Sequence, residues 1–300
     1  MPRAAAAATP PTPSTVPSAK SDTEARPLAV VCSFSILADI TRNVAGAAAS
    51  VTSLVGTDSD AHVFEPTPTA VRSVAAADVV VVNGLGFEGW LPRLIATAGF
   101  RGPVVVASTG VATRRRNGSD DPHIWQDLGR GAQMARTIAT ALQQRRPGLG
   151  AVIEARVSAY MAGLAALDRN VREQLAAIPR QRRRVVTAHD AFAYFGAAYG
   201  VDFSAAQVLG TGGDASAARI GALLQQLRRH EVQAIFAENI ADARLIERIA
   251  HDSGVAVGGR LYSDALSAPG TSADSYARLV AHNAATIVAA LRGGASSRPA

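Results

Sequence analysis

Three histidines and two carboxylates stand where polar side chains do chemistry. His62 lies in "DSDAHVFEPTP" (58–68), His123 in "DPHIWQD" (121–127), His189 in "VTAHDAFAYF" (186–195), Glu238 in "AIFAEN" (234–239) and Asp264 in "LYSDALSAPG" (261–270). Three imidazoles and one carboxylate make a four-coordinate N₃O donor set, which suits zinc and can serve manganese or iron. Glu238 is a candidate outer partner for a ligand imidazole, because such ligands give their second ring N–H to a carboxylate or carbonyl. It is equally a candidate general base, in which case His62, His123 and His189 would hold the zinc of a hydrolase with an open position for water. Each residue also has an ordinary reading. A histidine beside Asp in a loop is a solvated turn or cap residue, and Asp in "YSDAL" is a natural helix N-cap. The remaining three of the six histidines, His230, His251 and His282, fall within helix-like patterns and read as surface or partly buried helix residues.

For these groups to act together, the chain must bring them to one cleft. From residue 28 it alternates: "LAVVCSFSI", "VTSLVG", "DVVVVNG" and "PVVVAS" read as strands, with "LADITRNVAGAA", "TPTAVRSVAAA" and "WLPRLIATAG" between them as helices. A second alternation starts near residue 183, with "RRVVTAH", "DFSAAQVL", "VQAIFAEN" and "VAVGGRLY" as strands. Its helices are "AFAYFGAAYG", "SAARIGALLQQLRRH", "ARLIERIAHDSG" and a closing "TSADSYARLVAHNAATIVAALRGG". Short continuous apolar strands alternating with helices argue for an α/β protein of two lobes, each a parallel-type sheet flanked by helices. In such sheets ligands bind outside the carboxyl ends of the strands, where the five polar groups fall.

Between the halves, after Pro147-Gly148, apolar residues recur three to five apart from Val152 to Leu175, with Arg and Glu between them. That spacing predicts one long backbone helix of roughly 40 Å, long enough to join the lobes and stiffer than a Gly/Ser linker. The expected organisation is a tail or tether at 1–27, a first α/β lobe at 28–147, the linking helix at 148–178 and a second α/β lobe at 179–300.

With 300 residues and 48% hydrophobic composition the chain can bury two ordinary cores. No window reaches the roughly eighteen consecutive apolar residues of a membrane-spanning helix, so a soluble body is expected. Residues 1–27 are rich in Ala, Pro, Ser and Thr and read as a tether or processed tail. Their alanine run is broken by Pro10 and Pro11 and lacks the Leu-rich core of an export signal, which leaves an upstream signal, a different start or a cytosolic protein as alternatives. Cys32 is the only cysteine, so an intramolecular disulfide is excluded; in a strand-like run it reads as a small buried hydrophobe rather than a ligand or lipid anchor. Net charge is +6. The arginine clusters "TRRRNG" and "RQRRR" fall at loop-like junctions without stacking aromatics or a recognition module, so no nucleic-acid partner is expected. The aromatics Phe64, Trp125, Phe192, Tyr194 and Phe195 flank the candidate ligands and read first as packing.

The segments "DAHVFEPTP", "DPHIWQD", "VTAHDAFAYFGAAYG", "AIFAEN" and "LYSDALSAPGTSADSYARLVAHNAATIVAAL" resemble, in kind and order, those of the periplasmic solute-binding receptors of zinc/manganese/iron ABC transporters, from about residue 28 to residue 292. The resemblance implies two lobes on one backbone helix with one metal ion between them as transported ligand. His62 and His123 would come from the first lobe, His189 and Asp264 from the second. Manganese-type receptors commonly carry Glu where His189 stands, so the three-histidine, one-aspartate set points to Zn2+, with Mn2+ as the alternative. Many zinc receptors have a long His/Asp-rich loop before the second ligand; here that region is only "TRRRNGSDD", which makes a separate periplasmic metallochaperone a candidate partner.

The implied function is metal capture in the periplasm or cell envelope and delivery to a membrane permease, by a monomer that is not an enzyme. Metal binding should weaken below about pH 6, because neutral imidazole is the ligand form. A stiff connector limits closure to a small tilt and ordering of the loop around Asp264. Two rival readings are the zinc hydrolase, although no "HExxH" helix is present, and an adhesin on the same fold.

Overall fold

The computed structural model describes residues 26–116, 118–205, 227 and 232–293. In the first lobe β1 (Leu28–Phe34), β2 (Ala49–Val55), β3 (Val79–Val82) and β4 (Val104–Val106) form a parallel sheet in the order β2-β1-β3-β4. The two central strands are apolar nearly throughout because helices cover both faces. Alternation along the strands sorts the side chains. Val31, Val80 and Val82 pack under α2 (Pro68–Ala75) and α3 (Leu91–Ala98). Val30, Cys32, Val79 and Val81 face the main core with α1 (Ser35–Ala45) and α4 (Leu128–Arg145). Cys32 is fully buried beside Thr41, and burial pushes its thiol up to about 12, so in the folded chain it packs as the small hydrophobe expected.

A two-stranded antiparallel ribbon, β5 (Arg115–Arg116) with β6 (Ser119–Asp120), replaces the loop expected at "TRRRNG". The connector is α5 (Gly150–Ala176). It buries a narrow stripe of Ile153, Val157, Leu164, Val171 and Leu175 and packs on α1 and α4 of the first lobe. It is the one helix among the described residues long and apolar enough to cross a membrane, yet both lobes are built against that stripe.

The second lobe repeats the first. Strands β7 (Arg184–Thr187), β8 (Asp202–Ala205), β9 (Ala234–Glu238) and β10 (Val257–Leu261) are parallel, in the order β10-β9-β7-β8. In chain order both sheets read second, first, third, fourth. α6 (Ala193–Tyr199) follows β7, α7 (Ala243–Ser253) covers Val186, Ile235 and Ala237, and α8 (Tyr276–Gly293) closes the other face and packs on α5. The closing helix starts at Tyr276, later than its sequence pattern suggests, and its first N–H bonds Asp39 on α1, which seats it across both lobes. The helix expected at "SAARIGALLQQLRRH", most of the tail of "DFSAAQVL" and His230 lie outside the described residues.

The cluster "RQRRR" also has a local task. Arg183 Nη2 donates to the carbonyl of Ala176 at 3.4 Å and Arg182 Nη2 to that of Leu291 at 2.7 Å, so these guanidiniums tie off open carbonyls of α5 and α8.

Candidate metal centre

His62 is placed by a turn that follows β2. Asp60 Oδ1 accepts from the His62 backbone N–H at 2.8 Å, and Trp90 Nε1 donates to the Ala61 carbonyl at 2.7 Å. The turn starts at Asp58, a non-glycine residue with φ of 51°, a left-handed conformation that Asp tolerates and that the second lobe holds in place. Its N–H bonds the Leu266 carbonyl at 2.9 Å and its carboxylate accepts from Asn239 at 3.0 Å. The His62 ring then stands edge-on to Phe87, with centroids 4.5 Å apart.

His123 follows the ribbon and is almost wholly buried. Asp121 Oδ1 lies 3.1 Å from its backbone N and 2.7 Å from its Nδ1. A carboxylate can only accept there, so Nδ1 carries the hydrogen and Nε2 is left with a free lone pair. His189 follows β7 and is held the same way: Glu238 Oε2 is 2.6 Å from Nδ1, and Oε1 accepts from the backbone N–H at 2.8 Å. Asp264 follows β10. The strand's exit is fixed by Asn283 of α8, whose amide bonds both the N–H and the carbonyl of Tyr262.

These supports aim four ligand atoms at one point. His62 Nε2 is 3.3 Å from His123 Nε2 and 3.4 Å from Asp264 Oδ2; His189 Nε2 is 3.2 Å from the same oxygen; His123 Nε2 is 3.8 Å from Asp264 Oδ1. Within the group, all four ligand atoms lie within 4.8 Å of one another. Tetrahedral zinc with bonds of about 2.0–2.1 Å spaces its ligands about 3.3 Å apart, so the three shortest separations match such an ion and the others are wider. Asp264 is fully buried and its Oδ1 has no hydrogen-bond partner. An unpaired buried carboxylate oxygen is costly unless a cation meets it.

The charges are coupled. Burial alone would raise the Asp264 carboxyl, but the rings of His123 and His189 outweigh it and hold the group well below the usual carboxylate range. For His189, burial favours the neutral ring, yet the carboxylates of Asp264 and Glu238 prevail and raise its pKa well above 6.5.

The structure thus brings His62, His123, His189 and Asp264 together and puts Glu238 behind His189. The placement of Glu238 does not support the hydrolase base considered from sequence: both its oxygens face His189, on the side of the ring away from Nε2, and Asp264 stands beside the three imidazoles, where a catalytic zinc would keep a position open for water. His251 is exposed on α7 and His282 reaches the Arg260 carbonyl at 3.1 Å, away from the cluster.

Two of the flanking aromatics do more than pack. Trp125 Nε1 crosses the cleft to the Ser263 carbonyl at 2.8 Å, and Tyr194 Oη donates to the Asp121 carbonyl at 2.9 Å. Phe64 packs on Trp90, Phe192 on Phe203 and Phe195 on Tyr199. Asp60 and Asp121 went unread as supports, although the repeated pattern Asp-x-His in "DAH" and "DPH" carries the signal: each aspartate accepts the N–H of the histidine two residues on.

Comparison with known proteins yields a matching family and relatives that the chain covers over most of their length. The family described as "Zinc-uptake complex component A periplasmic" matches residues 30–290. The chain is 32% identical over 265 residues to the manganese-binding lipoprotein MntA of Halalkalibacterium halodurans, covering 88% of each chain. It is 30% identical over 267 residues to the manganese ABC transporter substrate-binding lipoprotein PsaA of Streptococcus pneumoniae, covering 85% of this chain and 86% of that one. Among solved structures it is similar to the periplasmic zinc binding protein TroA from Treponema pallidum, with a TM-score of 0.82 and 30% identity over 87% of this chain and 98% of that one.

Proposed function

The chain belongs to the family of periplasmic zinc-uptake components, and on that premise we propose that it is a metal receptor that captures one zinc ion between its lobes and delivers it to the permease of an ABC transporter. The observation that carries this reading is the set of four converging ligand atoms, whose three shortest separations match those of tetrahedral zinc. His62 and His123 hold the ion from the first lobe, His189 and Asp264 from the second. Asp121 and Glu238 stand at Nδ1 of His123 and His189 and so leave Nε2 of each ring to face the metal. Metal-bound and metal-free forms need differ only in how they fit the permease for delivery to have direction.

The relatives' names, substrate-binding lipoproteins of ABC transporters, support a transport role in the cell envelope rather than catalysis. We read the chain as working as a monomer, with a metallochaperone as a further candidate partner. Manganese is the second reading. MntA and PsaA are named for it, and Asp264 Oδ1 offers a second oxygen that would suit a metal of higher coordination number.

The test is titration of metal-free protein with zinc and with manganese against a competing chelator, beside a His62→Ala/His189→Ala variant. One tight zinc equivalent that the variant loses is the expected result. Tight manganese with weak zinc selects the second reading, and binding indifferent to both substitutions removes the site.

A further inference from the structure

The lobes are not tied evenly to the four ligands. Asp264 comes from the second lobe, yet its loop is fastened to the first. The Ser263 carbonyl accepts from Trp125 Nε1 and Gln126 Nε2, both at 2.8 Å. The Leu266 N–H bonds Ser35 Oγ at 3.0 Å and its carbonyl accepts from Asp58 N at 2.9 Å. His62, His123 and Asp264 are therefore tied together across the cleft, while Asn239, next to Glu238, keeps the Asp264 loop joined to the second sheet through the Ser263 N–H and the Ala265 carbonyl.

His189 is anchored elsewhere. Glu238 grips its ring and its backbone, and Thr187 Oγ1 donates to its carbonyl at 2.9 Å, so it is held by the β7–β9 part of the second sheet, and the segment after it reaches the first lobe at Tyr194, whose Oη accepts from the Arg114 N–H and donates to the Asp121 carbonyl. The next residue, Asp190, meets the first lobe. Arg116 of the β5–β6 ribbon places Nε 2.7 Å from Asp190 Oδ2 and donates from Nη1 to the Asp190 carbonyl at 2.9 Å. The side chains are 34% and 29% exposed, so solvent and salt reach the pair, whereas the ties of the Asp264 loop at Ser263 and Ser35 are buried.

We propose that Arg116 is a positioning residue whose cross-cleft pair with Asp190 latches the His189 arm onto the other three ligands, so that its opening sets the rate at which the metal leaves. The inference rests on the proposed metal-receptor function. Breaking it swings one ligand away and leaves a three-ligand site, with weaker hold and an open face. An electrostatic latch at a half-exposed position is also a handle for a partner, because a charged group brought to the ribbon competes for either member.

The experiment follows release of zinc from the full chain into excess chelator by stopped flow, at about 0.05 M and about 0.5 M salt, with Tm measured as a control of folding. Arg116→Ala, which loses both bonds, is expected to release zinc about three to ten times faster than wild type. Asp190→Ala keeps the bond to the carbonyl and should fall between. The double variant should be no faster than Arg116→Ala, and wild-type release should quicken with salt while that of Arg116→Ala does not. Release from Arg116→Ala within twofold of wild type, or with undiminished salt dependence, overturns the latch. The same readings on Asp190→Ala decide it where Arg116→Ala does not fold. A wild type that holds no zinc or manganese overturns the proposed function and the latch together; one that binds a full equivalent while the variants release it unchanged overturns the latch alone.

Discussion

Each lobe buries one carboxylate near the end of its third strand and turns it toward the end of its first. In the first lobe Glu88 accepts from Ser33 Oγ at 2.7 Å and from the backbone N–H groups of Asn83 and Gly84. In the second, Glu238 accepts from the backbone of His189 and faces its Nδ1. The sheets share one strand order, so the two carboxylates are counterparts in the architecture, and their difference lies in what the first strand offers them. Ser33 is a hydroxyl inside β1, and Glu88 with its backbone partners closes the β3 exit. Burial raises the Glu88 carboxyl, a cost the fold accepts for that closure. His189 stands two residues beyond β7, in the cleft, and the same device orients a ligand. A repeated scaffold thus becomes asymmetric by the reach of one side chain, so the same support closes a strand exit in one lobe and orients an imidazole in the other.

The comparison breaks most sharply at the first strands. His189→Ala is expected to lower zinc affinity more than about 100-fold, beyond the loss of an outer partner, while Ser33→Ala leaves affinity alone; chelator competition reads both. Next come the carboxylates. Glu238→Gln should cost about 10–100-fold in affinity with modest loss of stability. Glu88→Gln should do the reverse, lowering stability by about 1–3 kcal/mol in urea denaturation with affinity kept, because it sets an amide against donors that need an acceptor. Equal affinity losses in the two would dissolve the distinction.

Proton linkage sharpens it further. The raised pKa of His189 means that its contribution to the metal-free fold is complete below the ordinary value of 6.5 and is lost as pH rises through the raised value. Asp264, held far below 3.8, contributes above that value and loses its share only in strong acid. The metal-free cluster is therefore best satisfied in mild acid, where zinc must displace the His189 proton. The gain in Tm on adding zinc is expected to grow from about pH 6 to about pH 8. Glu238→Gln, with one carboxylate fewer beside that ring, should flatten the trend. The smallest effect is expected at the shared tie: Trp125→Phe removes the bond to Ser263 and should cost about 0.5–1.5 kcal/mol of stability in urea denaturation, since Gln126 still meets the same carbonyl.

The architecture was legible because burial writes itself into composition. "VVVV" and "LAVVCSF" are strands covered on both faces, and the break at Pro147-Gly148 separates α4 from α5. The four candidate ligands were legible because each follows a strand, and Glu238 because it ends one. Partner choice was not: nothing in the local pattern of "DPHIWQD" says that the Trp125 indole crosses to Ser263, or that Arg116 in a ribbon read as a loop reaches Asp190. Such links depend on how two lobes dock, and docking has no period in the sequence. The conformation of Asp58 is of the same kind, a left-handed turn that makes sense only once Leu266 and Asn239 stand opposite.

The connector α5 crosses between the lobes once, and the first sheet is complete by Val106. All its strand pairings are made within one contiguous stretch, so it can form while the rest of the chain is still being made. The cluster cannot, because its members run from His62 to Asp264 and the last is aligned by Asn283, deep in the final helix. Metal capture is therefore an assay of finished folding: a chain that has made every pairing of the first sheet but lacks its final helix still has no complete grip on the ion.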